Sequence, residues 1–413
     1  MPAMPREPAF DSSLAFLREG YAFIPRRRAR HASDVFQARV MLRKAVFVGG
    51  PGAAQMFYQP DRFTRKGALP PTAVALLQDF GSVQRKDGAA HRIRKRMFTG
   101  VLDVQGTADL ATAAEDAWAM AAQAWQGRVV LHDAFQRVLC RAVCRWSGIP
   151  ASRLDLPRRT REFAAMIDGA GAVGPRNWRG LLLRARCERW ARRLVQDIRD
   201  GSLQVGSTCP LAVVAAHCEQ DGEHLPVRIA AIELLNLLRP TVAVARFMVF
   251  AALALHEHPH WRERLRRDDD ATLECFVQEV RRFYPFFPAV GGRALHDFDW
   301  QGYRFREGTW VMLDLYGTNH DARIWPSPER FDPERFRDWT PDPYTLIPQG
   351  AGELGVTHRC PGERATIEIM KRLLRRLVCD IDYRVPAQDL RIDLGRLPTL
   401  PASGMVIDAI RAA

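Results

Sequence analysis

The sequence predicts a mainly α-helical protein with a small β-rich region, and three observations predict it. Residues 110–238 are rich in Ala, Leu, Arg and Trp at helical periodicity. From about Pro226 to Glu257 the chain is apolar almost all round, the pattern of a helix buried on every side. Strand-like patterns are short and confined to stretches near 35–70, 289–316 and 380–413.

In chain order, Val35 to Gly49 reads as two short strands, V-F-Q-A-R-V-M-L and A-V-F-V, followed by an Ala-rich helix start and the segment Phe63 to Pro70. Asp87-Gly88 marks a turn before a basic helix start. The helical stretch is interrupted near Gly148-Ile149-Pro150, Gly169 to Pro175, and Gly201 to Pro210. Phe276 to Pro288 is a helix that Pro285 ends, and W-Q-G-Y-R-F and T-W-V-M-L-D-L-Y follow as short strands. A last helix after Cys360 turns Ile367, Met370, Leu374 and Leu377 inward, with Arg364, Lys371, Arg372, Arg375 and Arg376 elsewhere on it. A length of 413 residues suits two or three domains or one large mixed unit. No repeat or low-complexity linker divides the chain, so residues 1–413 are expected to form one domain.

Composition narrows the function classes. The net charge is +13, yet arginines are spread through every segment and Lys occurs only at 44, 66, 86, 95 and 371. That distribution argues against a nucleic-acid tract and fits Arg-for-Lys usage across a solvated surface. The eight cysteines (140, 144, 187, 209, 218, 275, 360, 379) form no CxxC pair and no zinc spacing, so a reduced chain is expected. The N-terminus has no signal-peptide core and no apolar run nears the length of a membrane span, which predicts a soluble, cytoplasmic protein.

Three stretches can carry chemistry. Leu346 to Arg364, L-I-P-Q-G-A-G-E-L-G-V-T-H-R-C-P-G-E-R, sets Cys360 between a Gly-rich loop and a helix, with Pro361 fitting the first helical position. First-turn N–H groups lack helical partners and can aim at a thiolate, so Cys360 is a candidate axial metal ligand; a small buried hydrophobe is the plainer role. Arg239-Pro240 stands in the middle of the apolar helix. A proline there frees the carbonyl of Asn236 at a cost on the order of 3 kcal/mol, and a buried guanidinium costs several kcal/mol more unless an anion meets it. Arg239 therefore either marks a carboxylate-binding site in an apolar pocket, or snorkels out or pairs with a structural carboxylate. His91 and Lys95, at i and i+4, project from one helix face and can grip an anion or simply be solvated. Glu279 and Arg282, at i and i+3, can pair on their own helix.

With the Cys loop, Glu279-x-x-Arg282 and Pro333-Glu334-Arg335-Phe336 in order, the chain resembles a cytochrome P-450 over essentially its whole length. The resemblance implies a single, mostly helical prism around haem b, with Cys360 as the thiolate ligand of the iron and Glu279, Arg282 and Arg335 as a buried structural charge triad. The acid and alcohol that common monooxygenases carry in the long helix are replaced here by Arg239-Pro240-Thr241. Glu353 and His358 stand where the usual Cys loop has an aromatic residue and an arginine. These departures, with Gln84-x-x-Asp87-Gly88 before His91-x-x-x-Lys95 and V-R-R-F-Y-P-F-F-P, are similar to the peroxide-using bacterial fatty-acid hydroxylases. That similarity implies that Arg239 binds the substrate carboxylate and Pro240 shapes the helix around it. It puts Gln84 and Phe287 in the substrate pocket, and His91 and Lys95 on the haem propionates.

The expected activity is hydroxylation of a long-chain fatty acid at the α or β carbon with hydrogen peroxide, needing no redox partner, with the substrate's own carboxylate as general acid/base. Relatives that release terminal alkenes by oxidative decarboxylation carry His where this chain has Gln84, which favours hydroxylation. A conventional monooxygenase would instead dock a redox partner on the basic face near Arg364 and Lys371. A haem-thiolate sensor or lipid carrier would bind without turnover. Neither needs a cation above the iron.

Overall fold

In the computed structural model, which describes residues 3–267 and 269–412, the helical stretch of the sequence becomes a run of helices packed around one long apolar segment. The helices that matter for the site are Gly88–Val101, Val104–Ala122, Leu131–Trp146, Leu156–Gly169, Pro175–Arg199, Val227–Ala243, Ala245–Glu257, Asp270–Phe283 and Glu363–Cys379. Aspartates start three of them: Asp103, Asp155 and Asp269 each accept a backbone N–H of the first turn. Their apolar faces meet in the main core, where Trp118, Phe135, Phe163, Phe247 and Phe250 are among the largest fully buried side chains. Cys140, Cys144 and Cys187 are free thiols in that core.

The expected helix from Pro226 to Glu257 is two helices joined at Val244, whose N–H donates to Thr241 O (3.2 Å) three residues back. The break thus falls four residues beyond Pro240, as a tightened turn, and Pro240 itself stays inside the helix. All side chains from Ala245 to Leu255 are buried. Taken together, Val227–Glu257 is long and apolar enough to cross a membrane, contrary to the sequence expectation, but 83% of its apolar window is covered by the fold. It is a core helix.

The β-rich region is a five-stranded sheet in the order 35–40, 43–49, 310–314, 289–294 and 63–64, in which 43–49 pairs with 310–314 in parallel. The first strand stops at Val40 because Met41 (φ 54°) and Leu42 (φ 60°) turn the hairpin. W-Q-G-Y-R-F, expected as one strand, is also a hairpin: Phe298–Trp300 pairs with Tyr303–Phe305 across Gln301 (φ 49°) and Gly302 (φ 77°). Two successive positive φ values give the tight turn whose twist matches the flanking strands. A three-stranded sheet of 129–130, 406–412 and 381–384 closes the other side.

A buried ion cluster fastens the loop that carries Cys360. Glu279 and Arg282, both fully buried, pair through two bonds of 2.6 and 2.8 Å, and Arg335 reaches Glu279 at 3.3 Å. Arg282 also donates to Asn319 O (3.1 Å), and Asn319 Oδ1 accepts the N–H of Ile347 at 2.8 Å. One helix, one turn and the start of the Cys loop are thereby fixed relative to each other.

Candidate active site

The Cys loop bends at Gly350 (φ 99°), where a Cβ would lie 2.8 Å from Tyr58 Oη, and at Gly352 (φ 80°). Cys360 donates its N–H to Gln349 O (3.1 Å) and accepts the N–H of Glu363 at 3.3 Å. The last helix begins at Glu363 with Gly362 as its cap. Pro361 therefore lies in the turn before the helix, not at the first helical position, because the Cys360 carbonyl closes a turn of its own. Burial raises the pKa of the Cys360 thiol, while the Gly362 N–H directed at its sulfur works the other way. The Gln349 amide nitrogen stands 3.8 Å from Sγ. Its orientation is set from behind: Arg281, paired with Glu363, donates to Gln349 Oε1 (3.2 Å), which leaves the NH₂ end for the sulfur and for Thr366 Oγ1 (3.1 Å).

Beside the sulfur four basic side chains converge. The rings of His91 and His358 lie 4.0 Å apart, and Lys95 donates to the carbonyls of Thr357 and Arg359. Arg65 donates to Gly291 O (2.7 Å) and faces the rings of Phe57 and Tyr58. Burial lowers His91 to about 4, with the Lys95 charge adding to it, and lowers Lys95 to about 8. Burial followed by the Arg65 charge takes His358 well below its ordinary value. The carboxylate acting on His91, Asp87, is engaged by Thr64 and Lys66. Basic groups pushed downward together, with only neutral acceptors bonded to Lys95 and Arg65, fit a ligand that brings its own carboxylates, as the two propionates of haem do.

Arg239, 3% exposed, projects from the long apolar helix toward the end of the short helix Pro71–Leu77. Its guanidinium donates to the carbonyls of Leu76 (2.9 Å) and Leu77 and to Asn236 Oδ1 (3.0 Å). Those carbonyls are unpaired because the helix ends there. All three hydrogen-bonded acceptors are neutral, and burial, reinforced by the Arg184 charge, lowers Arg239 to about 9. Asn236 also donates to Glu233 Oε2 (2.9 Å) and to Gln84 Oε1 (3.3 Å). Fully buried Glu233 accepts from Arg94 (3.0 Å) and from the N–H of Val83 (2.7 Å). Pro240, Thr241 and Ala243 are not buried although every residue from Ala230 to Arg239 is, so the helix opens on the side that follows Arg239.

A family model described as Cytochrome P450 matches residues 269–394. The structure of cytochrome P450EX alpha (CYP152N1) with myristic acid superposes with a TM-score of 0.96 at 38% identity, covering 100% of both chains. The chain belongs to the cytochrome P450 superfamily, in its CYP152 branch. Cytochrome P450SP alpha (CYP152B1) in complex with (R)-ibuprophen matches this P450 at 43% identity and a TM-score of 0.94 over 97% of this chain and 99% of its own. A single-residue variant of cytochrome P450 OleT in complex with arachidonic acid matches at 32% identity and a TM-score of 0.96, over 100% of this chain and 99% of its own. Among curated sequences, rhazimal synthase from Alstonia scholaris is 29% identical over 203 residues, and the match spans 42% of the present P450 and 40% of that relative. As a P450 this protein is an oxidoreductase whose cofactor is haem with Cys360 as thiolate ligand.

The fold brings Gln84, Asn236 and Arg239 into one hydrogen-bonded chain, and His91 and Lys95 to the loop of Cys360. Phe287 is 38% exposed and packs edge-on against Phe286. Sequence reading overlooked Arg65, Gln349, Glu233 and Asn236. Glu233-x-x-Asn236-x-x-Arg239 was the available signal: polar residues every three positions on one face of an otherwise apolar helix.

Proposed function

We propose that this P450 hydroxylates long-chain fatty acids at the α or β carbon with hydrogen peroxide, producing water, and that residues 1–413 act as one haem domain. Arg239 carries this proposal: a buried guanidinium whose bonded acceptors are all neutral matches a carboxylate. The bound haem, through its thiolate-ligated iron, supplies cleavage of the peroxide O–O bond. Arg239 orients the substrate carboxylate, and Asn236, held by Glu233, orients Arg239. The carboxylate then takes a proton from hydrogen peroxide and returns it to the departing oxygen, the part that a side-chain acid plays in common monooxygenases. Anchoring that end sets Cα and Cβ nearest the reacting oxygen. Gln84 and Phe287 line the acid's path, and His91 and Lys95 hold the propionates. The CYP152 structures with myristic and arachidonic acid support the substrate class.

The basic face named for a redox partner is largely spent inside the molecule. Lys371 pairs with Asp270 and Glu274, Arg372 and Arg376 both hold Glu115, and Arg375 donates to Leu265 O. The test is product analysis by gas chromatography–mass spectrometry after incubating the haem protein with myristic acid and hydrogen peroxide, without reductase. Hydroxy acid at C2 or C3 is expected. A terminal alkene would replace hydroxylation by decarboxylation, and no product from an intact haem-thiolate protein would overturn the proposal. Arg239→Ala is expected to lower kcat/KM about 10²–10⁴-fold while leaving the haem spectrum in place.

A further inference from the structure

Helix Pro175–Arg199 has two faces of opposite character. Its inner face supports the substrate anchor: Arg184 donates to Asp79 (2.7 Å) and to Ala75 O, next to the carbonyls that hold Arg239. Its outer face exposes Arg179, Arg186, Arg189 and Arg193 at spacings of seven, three and four residues, one stripe about 21 Å long. Arg158 of the neighbouring helix joins the last three around a cavity of about 330 Å³. Like charges at these spacings repel and weaken a helix, so such a stripe costs stability unless an anion meets it. Little inside the fold does. Glu188 and Asp197 of the same helix are paired with Arg192 and Arg153, and Glu162 holds Arg158 and Arg159. Among the described residues, the side chains of Arg179, Arg186 and Arg193 make no hydrogen bond or ion pair.

At the N-terminal end of the same stripe three large apolar side chains stand in solvent: Val173 at 73%, Trp178 at 66% and Leu182 at 57% exposure. Arginines flanking an exposed indole and aliphatic side chains form the pattern of a helix lying on a bilayer, with the apolar groups at the acyl boundary and the guanidinium groups on the phosphates. A nucleic acid or an acidic protein would satisfy the arginines but leave this apolar end uncovered.

We propose that the outer face of helix Pro175–Arg199, extended by Val173 and Arg158, docks this protein on the surface of an anionic lipid bilayer. The docking stands on charge and exposure alone. Resting on the proposed reaction, it also sets the substrate anchor beside the phase into which long-chain acids partition.

The test is co-sedimentation of the haem-loaded protein with vesicles of phosphatidylcholine alone, or mixed with phosphatidylglycerol, over a range of salt. Binding is expected only to the anionic vesicles and to weaken as salt rises. Reversing Arg186, Arg189 and Arg193 to Glu is expected to weaken it at least about 100-fold. Reversing Arg137, Arg141 and Arg145, exposed on helix Leu131–Trp146, lowers the net charge equally and is expected to leave binding within a few-fold. Trp178→Ala is expected to lose the part of binding that survives at high salt. Equal effects of the two triple variants, or no preference for anionic vesicles, would overturn the proposal. Peroxide-driven turnover of detergent-dispersed myristic acid should be the same in the variant reversed at Arg186, Arg189 and Arg193 and in the native chain, which separates a failure of docking from a failure of the proposed reaction.

Discussion

Arg239 shows how a single side chain acquires a function from its surroundings. A guanidinium on an apolar helix either finds an internal carboxylate or awaits one, and here its bonded oxygens belong to two helix-end carbonyls and an amide. Asn236 is the joint in this arrangement, accepting from Arg239 while donating to Glu233 and Gln84. Asn236→Leu is expected to raise KM for myristic acid and to destabilise the protein by about 1–3 kcal/mol, because a buried carboxylate loses a donor; steady-state kinetics and urea unfolding measure the two effects. At the Cys loop, the Gln349 amide and the Gly362 N–H both draw electron density from the Cys360 sulfur. Removing that amide in Gln349→Leu is expected to make the thiolate a stronger donor and lower the haem reduction potential, read by spectroelectrochemistry. An unchanged potential would mean that the amide serves only Thr366 and Arg281.

Between elements, the Glu279, Arg282 and Arg335 cluster ties helix Asp270–Phe283 to the turn at 333–336 and, through Asn319, to the start of the Cys loop. Helical spacing identifies the Glu279–Arg282 pair, whereas Arg335 is 53 positions further on and no local pattern connects it. Glu279→Ala would leave two buried or nearly buried guanidinium groups without their carboxylate, and about 3–5 kcal/mol of stability is expected to go with it. Chemical unfolding of the haem-loaded variant measures this, and haem release should quicken as the Cys loop loosens. The hairpin at Gln301-Gly302 and the helix break at Val244 were not legible in the sequence for a shared reason. Both depend on where neighbouring strands and helices let the backbone turn, and residue preferences there fit more than one outcome.

For the whole molecule, buried histidines make stability depend on pH. Burial lowers both His132 and His320 to about 4, with the nearby Arg246 and Arg282 charges adding to the effect. Between about pH 6.5 and 4 the unfolded chain binds protons at these positions that the folded chain does not, so each makes the fold less stable as pH falls through that window. Asp314, raised by burial to about 6, acts in the opposite sense. His320→Gln is expected to remove up to about 1.4 kcal/mol per pH unit of the acid-side loss. Urea melts of both proteins at about pH 6.5 and about pH 5 check it; parallel pH dependences would show that His320 protonates as easily in the fold as out of it.

Local pattern in the chain was enough for the mainly α-helical class and for the cation in the apolar helix, because periodicity and Arg-Pro inside an apolar run each lie within a short window. The role of Cys360 followed instead from the family resemblance of the whole chain and not from its own loop. What those groups meet is a matter of three-dimensional packing. The convergence of Arg65, His91, Lys95 and His358, the turn of Gln349 toward the sulfur and the neutral acceptors around Arg239 join residues that are mostly tens to hundreds of positions apart. Contacts of that span are fixed by packing of the whole core, which no window of sequence contains.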